Sequence, residues 1–158
     1  MAIRTIRTEG DEILRKKSKK VDVIDERIKE IVNDMIETLH KYEGVGLAAV
    51  QVGILKQIVV IQEAEEEPIH VIINPEILSQ SGTQIVEEGC LSFPNKFAKI
   101  ERPEKIKIRA LDINGKPFEI KAKGLLAQAI SHEIDHLNGE VFIDKIIPGT
   151  LEIIKPEK

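Results

Sequence analysis

Between Gly124 and Gly139 the chain sets Leu125, Leu126, Ala129, Ile130, Ile134 and Leu137 around four polar residues, His132, Glu133, Asp135 and His136. Wound as a helix, this stretch is apolar on most sides, so the rest of the fold must wrap it. Burying two imidazoles and two carboxylates there costs roughly 2–7 kcal/mol per unpaired group unless something pairs with them. His132 and His136 lie one turn apart on the same face, close enough to grip one ion. Glu133 follows the first histidine by about 100° around the helix, beside the ion and not needed as a ligand. That position suits a carboxylate that takes a proton from metal-bound water. The competing reading is a chance histidine pair with a solvated glutamate. Burial counts against it, because a metal with its water meets the demand of these groups better than a structural polar network.

The other elements follow from periodicity. Residues 25–42 carry Ile28, Ile31, Val32, Met35, Ile36 and Leu39 at helical spacing, which predicts a surface helix with one buried stripe. Asp25 and Glu26 suit its positive N-terminal end, and Gly44-Val45-Gly46 stops it. Strand-like runs occupy Gln57–Gln62, His70–Ile73, Thr83–Val86, Lys105–Ala110 and Pro117–Lys121. Asn114-Gly115 predicts a type I′ hairpin between the last two, and Gly139 is placed as the C′ residue of the buried helix. A helix, then strands with short connections, then a helix argues for an α+β fold, with antiparallel sheets packed around the buried helix and one N-terminal surface helix.

At 158 residues and 42% hydrophobic, residues 1–158 are expected to form a single domain with a substantial core. The net charge is −4 with both signs interspersed, so no overall field favours nucleic acid or an anionic membrane. The N-terminus lacks a secretory apolar segment, and no stretch approaches the roughly 20 apolar residues that span a bilayer. A lone cysteine suits a reducing cytoplasm. Lys16-Lys17-Ser18-Lys19-Lys20 reads as a solvated turn, with ribosomal RNA contact as the minority alternative. Glu63-Ala64-Glu65-Glu66-Glu67-Pro68 reads as a solvated loop, and His40 and His70 as ordinary surface histidines.

Cys90, in Glu88-Gly89-Cys90-Leu91-Ser92, would on residue type alone be a small buried hydrophobe. A two-histidine site short of a ligand reverses that reading. Cys90, His132 and His136 leave a fourth tetrahedral position for water, and a thiolate with two neutral imidazoles keeps the site cationic. The third segment is Gly44-Val45-Gly46-Leu47-Ala48-Ala49-Val50-Gln51. Its small residues allow close backbone approach, and Gln51 brings amide donors, worth about 3–4 kcal/mol at most beside a tetrahedral oxyanion.

Together, Gly-Val-Gly-Leu-Ala-Ala-Val-Gln, Glu-Gly-Cys-Leu-Ser and His-Glu-Ile-Asp-His resemble the three signature motifs of the peptide deformylases. Their order and the spacings of 39 residues from Gln51 to Cys90 and 42 from Cys90 to His132 resemble that family too. The resemblance covers nearly the whole chain. It implies a metal-dependent hydrolase that removes the formyl group from N-formyl-methionine on new polypeptides. It also implies that Cys90, His132 and His136 bind one divalent ion, iron(II) in the cell, with zinc, nickel or cobalt also compatible. Glu133 would be the general base and acid, and Gln51 with the backbone N–H of Leu91 would hold the oxyanion. Val45, Gly46, Glu88, Leu125 and Ala129 would lie around the methionine pocket and the peptide backbone. The partners implied are N-formyl-methionyl nascent peptides and a transient ribosome contact, with no specific nucleic acid and no membrane, in a bacterial-type cytoplasm.

Three positions depart from the family pattern. Val50 stands where proline is usual and Ser131 where glutamine is common. Beyond Gly149 the tail is short, with Pro156 preventing a long helix. Two other functions compete: a small metallopeptidase, which shares His-Glu-x-x-His, and a non-catalytic metal-binding module, which would need neither Glu133 nor Gln51.

Overall fold

A computed structural model describes residues 2–154, so Pro156 lies outside the described residues. Two α-helices, α1 (Glu26–Lys41) and α2 (Gly124–Leu137), frame eight strands among these residues. In chain order the strands are β1 (Gly46–Ala48), β2 (Ile58–Ile61), β3 (His70–Ser81), β4 (Gln84–Cys90), β5 (Phe93–Arg102), β6 (Lys105–Leu111), β7 (Pro117–Lys123) and β8 (Glu152–Ile153). One antiparallel sheet has the order β1-β2-β3-β6-β7, and a smaller antiparallel one the order β4-β5-β8. The α+β arrangement around the histidine-bearing helix is therefore as the sequence predicts.

The large sheet is covered differently on its two faces. On one, Ile106, Ile108, Ala110 and Ala122 pack with Ala127, Ile130, Ile134 and Leu137 of α2. On the other, Ile58, Val60 and Ile73 meet the α1 stripe of Ile28, Ile31, Val32, Met35 and Leu39. Both packings follow from period-2 alternation on strands meeting period-3.6 stripes on helices. No described helix is long and apolar enough to cross a membrane.

The helix ends are set by caps. Asp25 accepts the N–H of Ile28 at 3.0 Å and starts α1. The stop differs from the glycine-based expectation: Glu43 is the left-handed residue, with φ 53°. Its N–H reaches the carbonyl of His40, and Gly44 N–H that of Leu39, as in a Schellman motif. At Gly44 an added Cβ would lie 2.7 Å from Leu91 Cδ1, so the Leu91 side chain would have to shift to admit one. Gly139 is the expected C′ residue of α2, with φ 76°.

Other sequence expectations need correction. The turn joining β6 and β7 is not type I′, because only Gly115 is left-handed, with φ 79°. The Asp112 carboxylate accepts the N–H groups of Asn114 and Lys116, both at 2.9 Å, and draws out a three-residue loop. Strands β3 and β4 run well past Ile73 and Val86, and β5 has no counterpart among the expected runs. Pro75 and the exposed second half of β3 hide the alternation, and register shifts after Ile73 and Ile77 absorb the irregularity. Leu125 does not join the buried face of α2; it is 47% exposed and opens onto a cleft. Asp135 is only partly buried. The lysines of 16–20 and residues 64–68 are exposed, as expected, although Ser18 is buried.

Candidate metal centre and its cleft

Cys90 ends β4 just before a tight turn, and α2 presents His132 and His136 towards it. Cys90 Sγ lies 3.3 Å from His136 Nε2, which is 3.2 Å from His132 Nε2. All three ligand atoms fall within 4.8 Å of one another. A tetrahedral ion at about 2.3 Å from sulfur and 2.0–2.1 Å from nitrogen would space its donors by roughly 3.3–3.6 Å. The donor set therefore fits a divalent ion with little movement. Burial holds His136 well below the ordinary imidazole pKa, so it stays neutral as a ligand must.

The orientation of His132 has its own support. Glu88 Oε1 accepts from His132 Nδ1, which leaves the Nε2 lone pair for an ion. Arg102, 3% exposed, grips both oxygens of Glu88, from Nε at 3.0 Å and Nη2 at 2.5 Å. Its Nη1 reaches Asp135 at 2.6 Å and Ser131 Oγ at 3.3 Å. Burial alone would raise Glu88, but the bonds from His132 and Arg102 outweigh it and hold the carboxyl at about 2. Arg102 is the principal site residue that sequence reasoning misses. The only signal is its inward place in the Ala98, Ile100, Arg102 alternation of β5, where an apolar residue is expected.

Glu133 is 4% exposed, and its Oε1 has no hydrogen-bond partner among the described residues. Burial pushes its pKa up to about 7, with the negative charge of Glu88 acting the same way and Arg102 opposing it. Its other oxygen rests against Gly46, where an added Cβ would come within 2.6 Å of Oε2. Gln51 is fully buried beneath the centre. Its Oε1 accepts the N–H of Ala48 at 2.9 Å, while Nε2 reaches Ser92 Oγ at 3.1 Å and Cys90 Sγ at 3.6 Å.

A cleft of about 760 Å³ opens over this centre. Val45, Gly46, Glu88, Leu91, Leu125 and Ala129 line it, with Cys90, His132 and Glu133 at its floor. The expected substrate residues thus share one cavity with four of the six expected chemical ones, Cys90, Leu91, His132 and Glu133, and His136 and Gln51 stand behind them. A buried acid–base carboxylate, a metal-sized donor set and an apolar cleft together suit hydrolysis of a short acyl or peptidyl substrate.

A family model for polypeptide deformylases matches residues 3–151. Peptide deformylase 1 of Clostridium perfringens is 56% identical over 144 residues, covering 91% of this chain and 98% of the relative. The peptide deformylase of Alkaliphilus metalliredigens is 54% identical over 147 residues, 93% of this chain and 99% of the relative. The crystal structure of peptide deformylase from Thermotoga maritima is similar with a TM-score of 0.90 and 43% identity, covering 94% of this chain and 100% of that one. The Synechococcus elongatus enzyme in complex with actinonin gives a TM-score of 0.88 and 40% identity, covering 92% of this chain and 80% of that one.

Proposed function

The chain belongs to the polypeptide deformylase family, metal-dependent hydrolases that remove the formyl group from N-formyl-methionine on new polypeptides, and we propose how its own residues carry that reaction. Cys90, His132 and His136 would hold one divalent ion. When bound, such an ion supplies Lewis acidity and lowers the pKa of water at its open position. Glu133 accepts a proton at its unpaired Oε1 and returns it to the departing amine of methionine, a task that a pKa near 7 suits. Glu88, held by Arg102, fixes the imidazole of His132.

The Leu91 N–H and the Gln51 amide donate to the formyl oxygen as it gains negative charge. The Gln51 hydrogen set towards Cys90 Sγ makes only a long contact and is the one available. Val45, Leu125 and Ala129 flank the methionine side chain in the cleft, and Gly46 and Glu88 border the peptide backbone. The formyl carbon carries only hydrogen, so a tight site admits it and excludes larger acyl groups.

The observation that carries this reading is the meeting of Cys90, His132 and His136 beside the buried, unpaired oxygen of Glu133 at one cleft floor. Family membership further suggests iron(II) as the ion in the cell, residues 1–158 as one catalytic domain, and action in the cytoplasm with transient ribosome contact, which we propose alongside it. The test compares formyl-Met-Ala-Ser with acetyl-Met-Ala-Ser and unblocked Met-Ala-Ser on metal-loaded protein. Free amine and formate should appear from the first alone; cleavage inside the unblocked peptide would favour a metallopeptidase instead.

A further inference from the structure

The chain carries a net charge of −4, yet one end of a sheet face gathers four lysines, beyond Arg109 and its cross-strand neighbours Glu76 and Glu119. Strands β6 and β7 turn Ile106, Ile108, Ala110 and Ala122 towards α2, so Lys105, Lys107, Lys121 and Lys123 alternate onto the opposite face. On that side α1 packs chiefly against β1 and β2 and reaches Ile73 of β3 and Leu111 at the end of β6, which leaves Lys105, Lys121 and Lys123 exposed. The pairing register sets Lys105 directly opposite Lys123, and Lys107 opposite Lys121. Like charges in directly opposed positions destabilise a sheet. Lys107 is half-exposed and has a loose pair with Glu119 at 3.5 Å, and no ion pair within 4 Å among the described residues includes the other three. On the neighbouring strand, Ser79 lies opposite Lys107 and Ser81 opposite Lys105. These six residues line a groove of about 350 Å³.

We propose that this lysine-lined half of the sheet is a docking surface for the phosphate backbone of RNA. Two stacked like-charge pairs cost stability in the free protein and gain it back when a polyanion lies between them. Lysine acts as a point charge, which suits phosphate, and serine hydroxyls add the neutral donors common in backbone contacts. An acidic protein partner fits less well: lysine is depleted from protein interfaces, and neither an aromatic residue nor an arginine lines this groove to anchor one. Because every contact is to backbone, the binding reads no sequence. The catalytic helix α2 lies on the other side of the sheet, so a bound strand leaves the cleft open.

Fluorescence anisotropy of a labelled 20-base-pair RNA hairpin against the metal-loaded chain tests this, with salt varied. The wild type should bind with an affinity that falls steeply as salt rises. Lys121→Gln with Lys123→Gln should lower the slope of log K against log salt by about 2 and weaken binding by about tenfold at low salt. The same two changes relieve the cross-strand repulsion, so the melting temperature should hold or rise, and formyl-peptide hydrolysis should not change. Lys16→Gln with Lys17→Gln removes equal charge elsewhere and should leave the slope close to that of the wild type. The proposal is overturned by no RNA binding at low salt, by equal losses in the two double variants, or by a polyglutamate peptide of matched charge competing as well as RNA.

Discussion

Glu88 and His132 meet through Oε1 and Nδ1, and this contact fixes which imidazole nitrogen faces Cys90 and His136. The carboxylate is itself pinned by Arg102, so the orientation of a metal ligand rests on a charge network behind the cleft. Glu88→Gln keeps the shape but weakens both links. Metal affinity should fall by about 10–100-fold, as for other supports of histidine ligands. Competition with a chromogenic chelator reads this directly, and unchanged affinity would remove Glu88 from that role.

Gly46 is the position where the smallest change should do the most. Its backbone φ is ordinary, so alanine is tolerated locally, but the added Cβ would press within 2.6 Å of Glu133 Oε2. Displacing that carboxylate should lower kcat by about 10²-fold while the ion stays bound. A Michaelis profile beside metal analysis of the same sample separates this from loss of the centre.

For Glu133→Ala the ligands remain while the proton carrier is gone. Metal content should hold near the wild-type value and turnover should nearly vanish. Hydrolysis of formyl-Met-Ala-Ser at a near wild-type rate would assign the base elsewhere.

Gln51→Ala should show two separable losses. The Ala48 N–H loses its acceptor in a buried site, which costs about 1–3 kcal/mol of stability. The oxyanion loses one donor, which should lower kcat by about 10²–10³ with little change in KM. A thermal melt and a kinetic profile on one preparation distinguish them. A fall in stability alone would leave Gln51 as a scaffold for the loop under Cys90.

What the sequence made legible was whatever is local and periodic. α1 and α2 announce themselves at a period of 3.6, β6 and β7 by alternation, and His132, Glu133 and His136 by falling within a single turn. The charge network was not legible, because Arg102 gains its meaning only when β5 sets it beside Glu88, 14 residues before it, and Asp135, 33 after. Nor was β5 itself, whose run holds Pro94, the left-handed Asn95 and an inward arginine. Two departures from the family pattern find structural settings. Val50 is fully buried in the core cluster under α2, and Ser131 lends its hydroxyl to Arg102 at 3.3 Å.

The sharpest test of one ion on Cys90, His132 and His136 serving deformylation is an anaerobic titration of stripped protein with iron(II), reading formate released from formyl-Met-Ala-Ser. Activity should rise linearly and stop at one equivalent per chain, while Cys90→Ser should need a large excess of iron(II) to show any activity. Full formate release by the stripped chain, or the same one-equivalent endpoint in Cys90→Ser, would contradict it.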